Sequence, residues 1–174
     1  MRALRLLPLL FALLAPAALA EGLYQIELIL FRQPGDPLPA GQPPAENWAA
    51  GAQSLNDTNR RTPALEEQAA KLAKAEGYKV LLHQAWQQRL GGAPSRMALS
   101  SGKGSHGHYP IQGTLSLTQG RYLDVAAEFW INRFDNTGFL AGSERLKQKS
   151  RLSAGQLTFL DHGNLGLLIL VTPL

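Results

Sequence analysis

The chain has 174 residues and no cysteine, and its 17 Lys+Arg against 13 Asp+Glu give a formal charge of +4. Without cysteine, a disulfide framework, a thiolate nucleophile, a Cys-ligated metal and lipid attachment through cysteine are all excluded. Two cations, Arg2 and Arg5, stand in the first five residues; 17 less these two leaves 15 against 13 acids, so the pI of about 9.6 is no nucleic-acid footprint. Electrostatic recognition must come from local clustering.

After the basic start Met1–Arg5, residues 6–20 are apolar apart from Pro8 and Pro16, and Ala18-Leu19-Ala20 supplies a small-x-small cleavage site. This is the pattern of a secretory signal over 1–20. A helix of that apolar length reaches roughly 22 Å, short of the ~30 Å hydrocarbon core, so cleavage rather than anchoring is expected. The mature chain is then expected to be exported, beginning near Glu21, with no membrane span and 21–174 forming one domain.

In Tyr24–Phe31, Tyr24, Ile26, Leu28 and Leu30 share a face, and Gln25 and Glu27 start the other, which ends apolar at Ile29 and Phe31; this predicts a strand covered in part on both sides. Five prolines between Gln33 and Arg61 predict a long loop over 33–61, with Trp48 pinning it. Thr62-Pro63 reads as a helix start, followed by Leu65, Ala69, Leu72 and Ala73 at helical spacing and by Gly77 as the stop, predicting a helix over 63–76. Tyr78–Gln88 is the next strand, with Tyr78, Val80, Leu82 and Trp86 on one face. A strand-helix-strand crossover places it parallel to the first. Residues 89–109, rich in Gly and Ser, read as a second loop.

From Ile111 to Thr118 apolar and polar residues alternate, and Leu123, Val125, Ala127, Phe129 and Ile131 form the apolar face of the following strand. Apolar positions are odd in both strands, so they pair odd with odd. A three-residue loop Thr118-Gln119-Gly120, with Gly120 at positive φ, satisfies that phase. After a loop around Asp135-Asn136-Thr137-Gly138, residues 145–152 alternate with Leu146 and Leu152 inward, and Leu165–Val171 closes the chain as a strand buried on both faces. The expected architecture is α+β: a single mostly antiparallel β-sheet with one amphipathic helix packed on a face.

Candidates for catalysis are weak. Ser100-Ser101-Gly102-Lys103 matches a Ser-x-x-Lys pattern, yet it lies in a Gly-rich stretch with none of the partner motifs that pattern needs. His106-Gly107-His108 offers two imidazoles where a metal needs three or four ligands, so neither metal nor cofactor is expected. Asp161-His162 reads as a turn between strands. The outstanding feature is Arg145, Lys147, Lys149 and Arg151, four cations on one strand face. Neighbours about 6.6 Å apart repel by roughly 0.6 kcal/mol in water, which a solvated edge strand tolerates and where the charges discourage aggregation. The alternative is a surface for an anionic ligand or partner. Core positions odd in 122–134 and even in 145–152 set Asn132 against Lys147, Trp130 against Lys149 and Glu128 against Arg151, with Trp130 stacked on a cation at the surface.

The segments Tyr24–Phe31, Gly77-Tyr78-Lys79-Val80-Leu81-Leu82-His83-Gln84-Ala85-Trp86, Arg121-Tyr122-Leu123, Leu160-Asp161-His162 and Thr172-Pro173, in this order, resemble the CsiV family of cell-shape-integrity proteins of Gram-negative bacteria. Leu82-His83-Gln84-Ala85-Trp86 is the most specific of these pieces. The resemblance implies a periplasmic peptidoglycan-binding protein that supports wall synthesis with an outer-membrane lipoprotein activator and a class A penicillin-binding protein. Arg145, Lys147, Lys149 and Arg151 beside Trp130 and Tyr122 suit such a polymer, whose sugars stack on aromatic rings and whose stem peptides carry carboxylates. A competing reading is an adaptor or chaperone in outer-membrane protein assembly, using the same basic face.

Overall fold

The computed structural model describes residues 21–174; the expected signal over 1–20 lies outside the described residues. The described residues form nine strands, β1 (Gly22–Arg32), β2 (Gln53–Ser54), β3 (Lys79–Leu90), β4 (Ser95–Ser101), β5 (Ile111–Gln119), β6 (Leu123–Phe134), β7 (Leu140–Leu152), β8 (Thr158–His162) and β9 (Leu165–Pro173), with one helix, α1 (Glu66–Lys74), between β2 and β3; apart from the short polar β2, apolar side chains recurring along each segment drive them. They form two sheets, not one: a four-stranded sheet in the order β3-β1-β9-β8 and a five-stranded sheet in the order β2-β4-β5-β6-β7. The reason is that both apolar faces need cover. Ile26, Leu28 and Leu30 of β1 and Leu167, Ile169 and Val171 of β9 meet Met97, Leu115, Val125, Phe129 and Leu146 of the other sheet in the main core. A β-carbon at Gly113 would collide with the Phe129 ring and the Glu128 carbonyl, so glycine lets those strands approach.

The reverse face of β1 carries the second, smaller core. Ile29 and Phe31 pack with Leu65, and Ala69, Leu72, Val80, Leu168 and Leu170 complete the cluster under α1. A bulge between Leu30 and Phe31, where Leu30 pairs with Leu82 and Phe31 with Val80, sends Val80 to the helix side while Leu82 and Trp86 face the main core. One predicted face is thereby divided between two clusters. The helix is shorter than expected and does not start at Thr62-Pro63: Leu65 occupies the cap position without a side-chain bond. The cap comes from β1 instead. Glu27, 1% exposed, accepts the backbone N–H groups of Ala64 (2.7 Å) and Leu65 (2.8 Å), and its carboxylate meets His83 Nε2 at 2.6 Å.

β1 and β3 pair antiparallel, from Gly22↔Leu90 to Arg32↔Lys79, against the parallel crossover expected. The crossover rule fails because the connection does not run back along the sheet. It reaches the other sheet, where Ala40 N–H donates to Ser143 O at 2.7 Å and β2 pairs with β4, then returns so that β3 starts beside the end of β1. Within 89–109, expected to be loop, β3 extends to Leu90 and Ser95–Ser101 forms β4, its Met97 and Leu99 buried in the core. β5 and β6 pair odd with odd as the phase required. The connecting residues are Gly120-Arg121-Tyr122, and Gly120 is not among the glycines at positive φ. β6 and β7 pair with Trp130 opposite Arg145, Glu128 opposite Lys147, Ala126 opposite Lys149 and Asp124 opposite Arg151. The partners differ from those expected by four residues along β7, an even displacement that leaves every side chain on its predicted face. β7 ends its sheet as an edge strand.

Candidate functional site

The outer face of the five-stranded sheet is built in cross-strand rows. Pairing aligns Arg96, Ser116, Ala126 and Lys149 in one row and Ala98, Thr114, Glu128 and Lys147 in the next. Side chains in the middle are small, so a trough of about 220 Å³ runs between Arg96 on β4 and Lys147 and Lys149 on β7. Glu128 stands in it, 3.3 Å from Lys147 Nζ and 3.7 Å from Arg145 Nη1, while Asp124 lies 3.2 Å from Arg151 Nε. Lys149 faces Ala126 and has no acidic partner among the described residues. Exposed pairs of this kind contribute ~1 kcal/mol at most, so they arrange the charges more than they stabilise the fold.

In the next row, Ser100, Gln112, Trp130 and Arg145, the middle two residues are roofed over while Ser100 stays exposed. Trp130 is 8% exposed and its Nε1–H points to Gln42 O at 3.4 Å, in the loop after β1. It is therefore neither a surface platform nor stacked on Lys149, as expected from the sequence; the proline-rich loop folds onto it. The same roof buries Gln112 and Asn132, which read as solvent-facing polar residues of alternating strands. Their partners are local: Gln112 Oε1 accepts Tyr109 N–H (2.7 Å), Asn132 Nδ2 donates to Tyr109 O (2.7 Å), and Ser143 Oγ donates to Asn132 Oδ1 (2.7 Å). Tyr122 is 47% exposed in the β5–β6 turn, with the Arg121 guanidinium 5.7 Å from its ring centroid. It lines a different hollow, with Tyr24 and Leu152, at the end of the sandwich.

Glu144 braces the seam between the sheets. Arg32 of β1 donates to both its oxygens at 2.8 and 2.9 Å, and Asn164 Nδ2 donates at 2.8 Å. Burial pushes the carboxyl pKa up, but the Arg32 and Asn164 hydrogen bonds and the charges of Arg32 and Arg133 outweigh it and hold the group below the usual glutamate range. The histidines of the second loop are occupied separately. His106 stacks on Phe139 with centroids 4.1 Å apart, and His108 Nδ1 lies 3.2 Å from Gln112 Nε2. Among the described residues no three His, Asp or Glu side chains gather as a metal site. Ser100 is on β4 and Lys103 beyond it, not on a helix start. Asp161-His162 ends β8 before the Gly163-Asn164 turn, and Asp161 Oδ1 accepts Gln33 Nε2 at 2.6 Å, fixing the start of the proline-rich loop.

No curated protein and no solved structure matches the chain. A family model described as "Peptidoglycan-binding protein, CsiV" matches residues 42–174, which take in every strand from β2 onward, the stretch 102–110 and the first roofing loop from Gln42 on. The chain belongs to the CsiV family.

Proposed function

We propose that this protein is a non-catalytic peptidoglycan-binding protein of the periplasm, and that it supports wall synthesis and cell shape by assisting a class A penicillin-binding protein and its outer-membrane lipoprotein activator. The observation that carries the binding site is the row Arg145, Lys147, Lys149 and Arg151 beside an open trough, with Lys149 unpaired among the described residues. Stem peptides of peptidoglycan carry carboxylates, and a polyanionic ligand offsets the repulsion along the row. Family membership supports the choice of polymer. The two loop imidazoles are engaged elsewhere, His106 stacked on Phe139 and His108 Nδ1 3.2 Å from Gln112 Nε2, which fits a binding role.

The test is sedimentation with purified sacculi. Lys147→Glu combined with Lys149→Glu should weaken co-sedimentation about tenfold at low ionic strength, the deficit shrinking above ~0.15 M salt, where screening acts over about 8 Å. Wild-type protein should release no soluble fragments from the same sacculi. Undiminished binding by the variant at low salt would reject the basic row as the site, and capture of envelope proteins in place of sacculi would favour the adaptor reading.

We further propose that residues 1–20 are removed and that 21–174 work as one domain. Among the described residues no helix is long and apolar enough to cross a membrane. The intact mass of the exported protein should correspond to a chain beginning at Glu21; a mass that retains the leader would contradict export by cleavage.

A further inference from the structure

A recess of about 410 Å³ lies where the loop after β1 wraps the β2–β4 edge, lined by Trp48, Arg60, Gln84, Ser100 and Tyr109 among others. Its volume is within the ~300–1,000 Å³ of small-molecule sites. Two aromatic rings stand at it, Trp48 and Tyr109, edge to face with centroids 6.3 Å apart and an interplanar angle of 77°. Trp48 Nε1–H points to Gly107 O at 3.4 Å, so the two loops hold the indole in place. The chain has three tryptophans; Trp86 is 0% and Trp130 8% exposed, and Trp48 alone of the three is half-buried.

The polar groups of the recess are planar and paired. Arg60 Nη1 donates to Gln84 Oε1 at 2.8 Å, which orients both groups. The Gln84 amide N–H groups and the other guanidinium N–H groups of Arg60 have no acceptor among the described residues. Ser100 adds an exposed hydroxyl. Aromatic faces for C–H groups, with a planar amide and guanidinium for adjacent hydroxyls, are the complement of a pyranose ring. A single guanidinium already bonded to Gln84 makes a poor anion trap, so a neutral ligand fits better than a phosphate.

We infer that this recess is a saccharide subsite, taking an N-acetylated sugar of a glycan whose acidic peptide lies across the trough. The inference rests on the proposed peptidoglycan binding for the identity of the polymer. Ala98 lines the recess and shares a cross-strand row with Thr114, Glu128 and Lys147 of the trough. From β4 to β7 is three strand spacings, about 14 Å. An extended peptide of about four residues covers that distance. The sugar at one end and the cations at the other therefore match a glycan unit bearing a short stem.

The experiment titrates the mature protein with a peptide-free N-acetylglucosamine oligosaccharide, read by calorimetry and by tryptophan fluorescence. Saturable binding with a changed emission is expected, because Trp48 is the tryptophan within reach of ligand. Trp48→Ala and Arg60→Ala should each weaken it at least about tenfold. Ser100→Tyr, at an exposed strand position that accepts an aromatic residue, should block the recess while leaving the melting temperature unchanged. No saturable binding to the wild type, or wild-type affinity in both Arg60→Ala and Ser100→Tyr, overturns the subsite. Sacculus binding that persists in that case leaves the proposed function standing; oligosaccharide binding without sacculus binding would uphold the subsite and reject the proposed function.

Discussion

Replacing Trp86 with alanine should lower the unfolding free energy by about 3–5 kcal/mol, a large share of the ~5–15 kcal/mol that holds a domain of this size. The indole is 0% exposed in the main core, packed between the sheets with Leu28, Leu82 and Leu90 in the same cluster. Its polar edge is also committed. Trp86 Nε1–H donates to Gln88 Oε1 at 2.7 Å, and Gln88 Nε2 donates to Ser95 Oγ at 2.8 Å across the β3–β4 connection. Truncation therefore removes packing, opens a cavity and leaves the buried Gln88 oxygen without its donor. Urea denaturation of wild type and variant measures the loss. A change below about 1 kcal/mol would show that the two sheets can close over the gap.

A comparable loss, about 3–5 kcal/mol, is expected for Glu27→Ala. Glu27 is 1% exposed on β1 and serves three donors at once: the first N–H groups before α1 and the ring of His83 on β3. Deleting the carboxylate leaves all three without that acceptor inside a closed cluster, and the helix loses the negative group at its N-terminus. Glu27→Gln keeps one acceptor oxygen and should fall between the two. Hydrogen exchange distinguishes the mechanism: amides of α1 should open first in Glu27→Ala, whereas Trp86→Ala should lower protection in both sheets. Equal protection of α1 in wild type and Glu27→Ala would refute the capping role.

Placing these two residues from sequence alone succeeds for one and fails for the other, for a physical reason. Trp86 stands at an alternating position with apolar neighbours, and such a position is buried whichever strand lies beside it. Glu27 stands at an alternating position too, on the side that reads as polar. Its burial depends on α1, and nothing within the strand records that the helix start of residues 64 and 65 will sit over it. The same holds for Trp130, Gln112 and Asn132. Their strand face was legible, but it is covered by the stretch 102–110 just before β5 and by residues 39–50, the latter far along the chain.

Alternation decides which side chains share a face, so the odd-with-odd pairing of β5 with β6, the inward Leu146 and Leu152 and the grouping of Arg145, Lys147, Lys149 and Arg151 were all determined by the sequence itself. Resemblance in short segments also pointed to the family that the match over 42–174 bears out. Alternation repeats every two residues, however, so it is blind to any even displacement: which residue faces Lys149 was decided by the turn and the bulge between Arg133 and Phe134. It is likewise blind to the partner strand, and so to the antiparallel β1–β3 pair and the division into two sheets. Those outcomes minimise exposed apolar surface over the whole chain at once, a quantity no local window contains. The trough could be anticipated in its charges, while the recess at Trp48 exists only because two distant loops meet at one edge of a sheet.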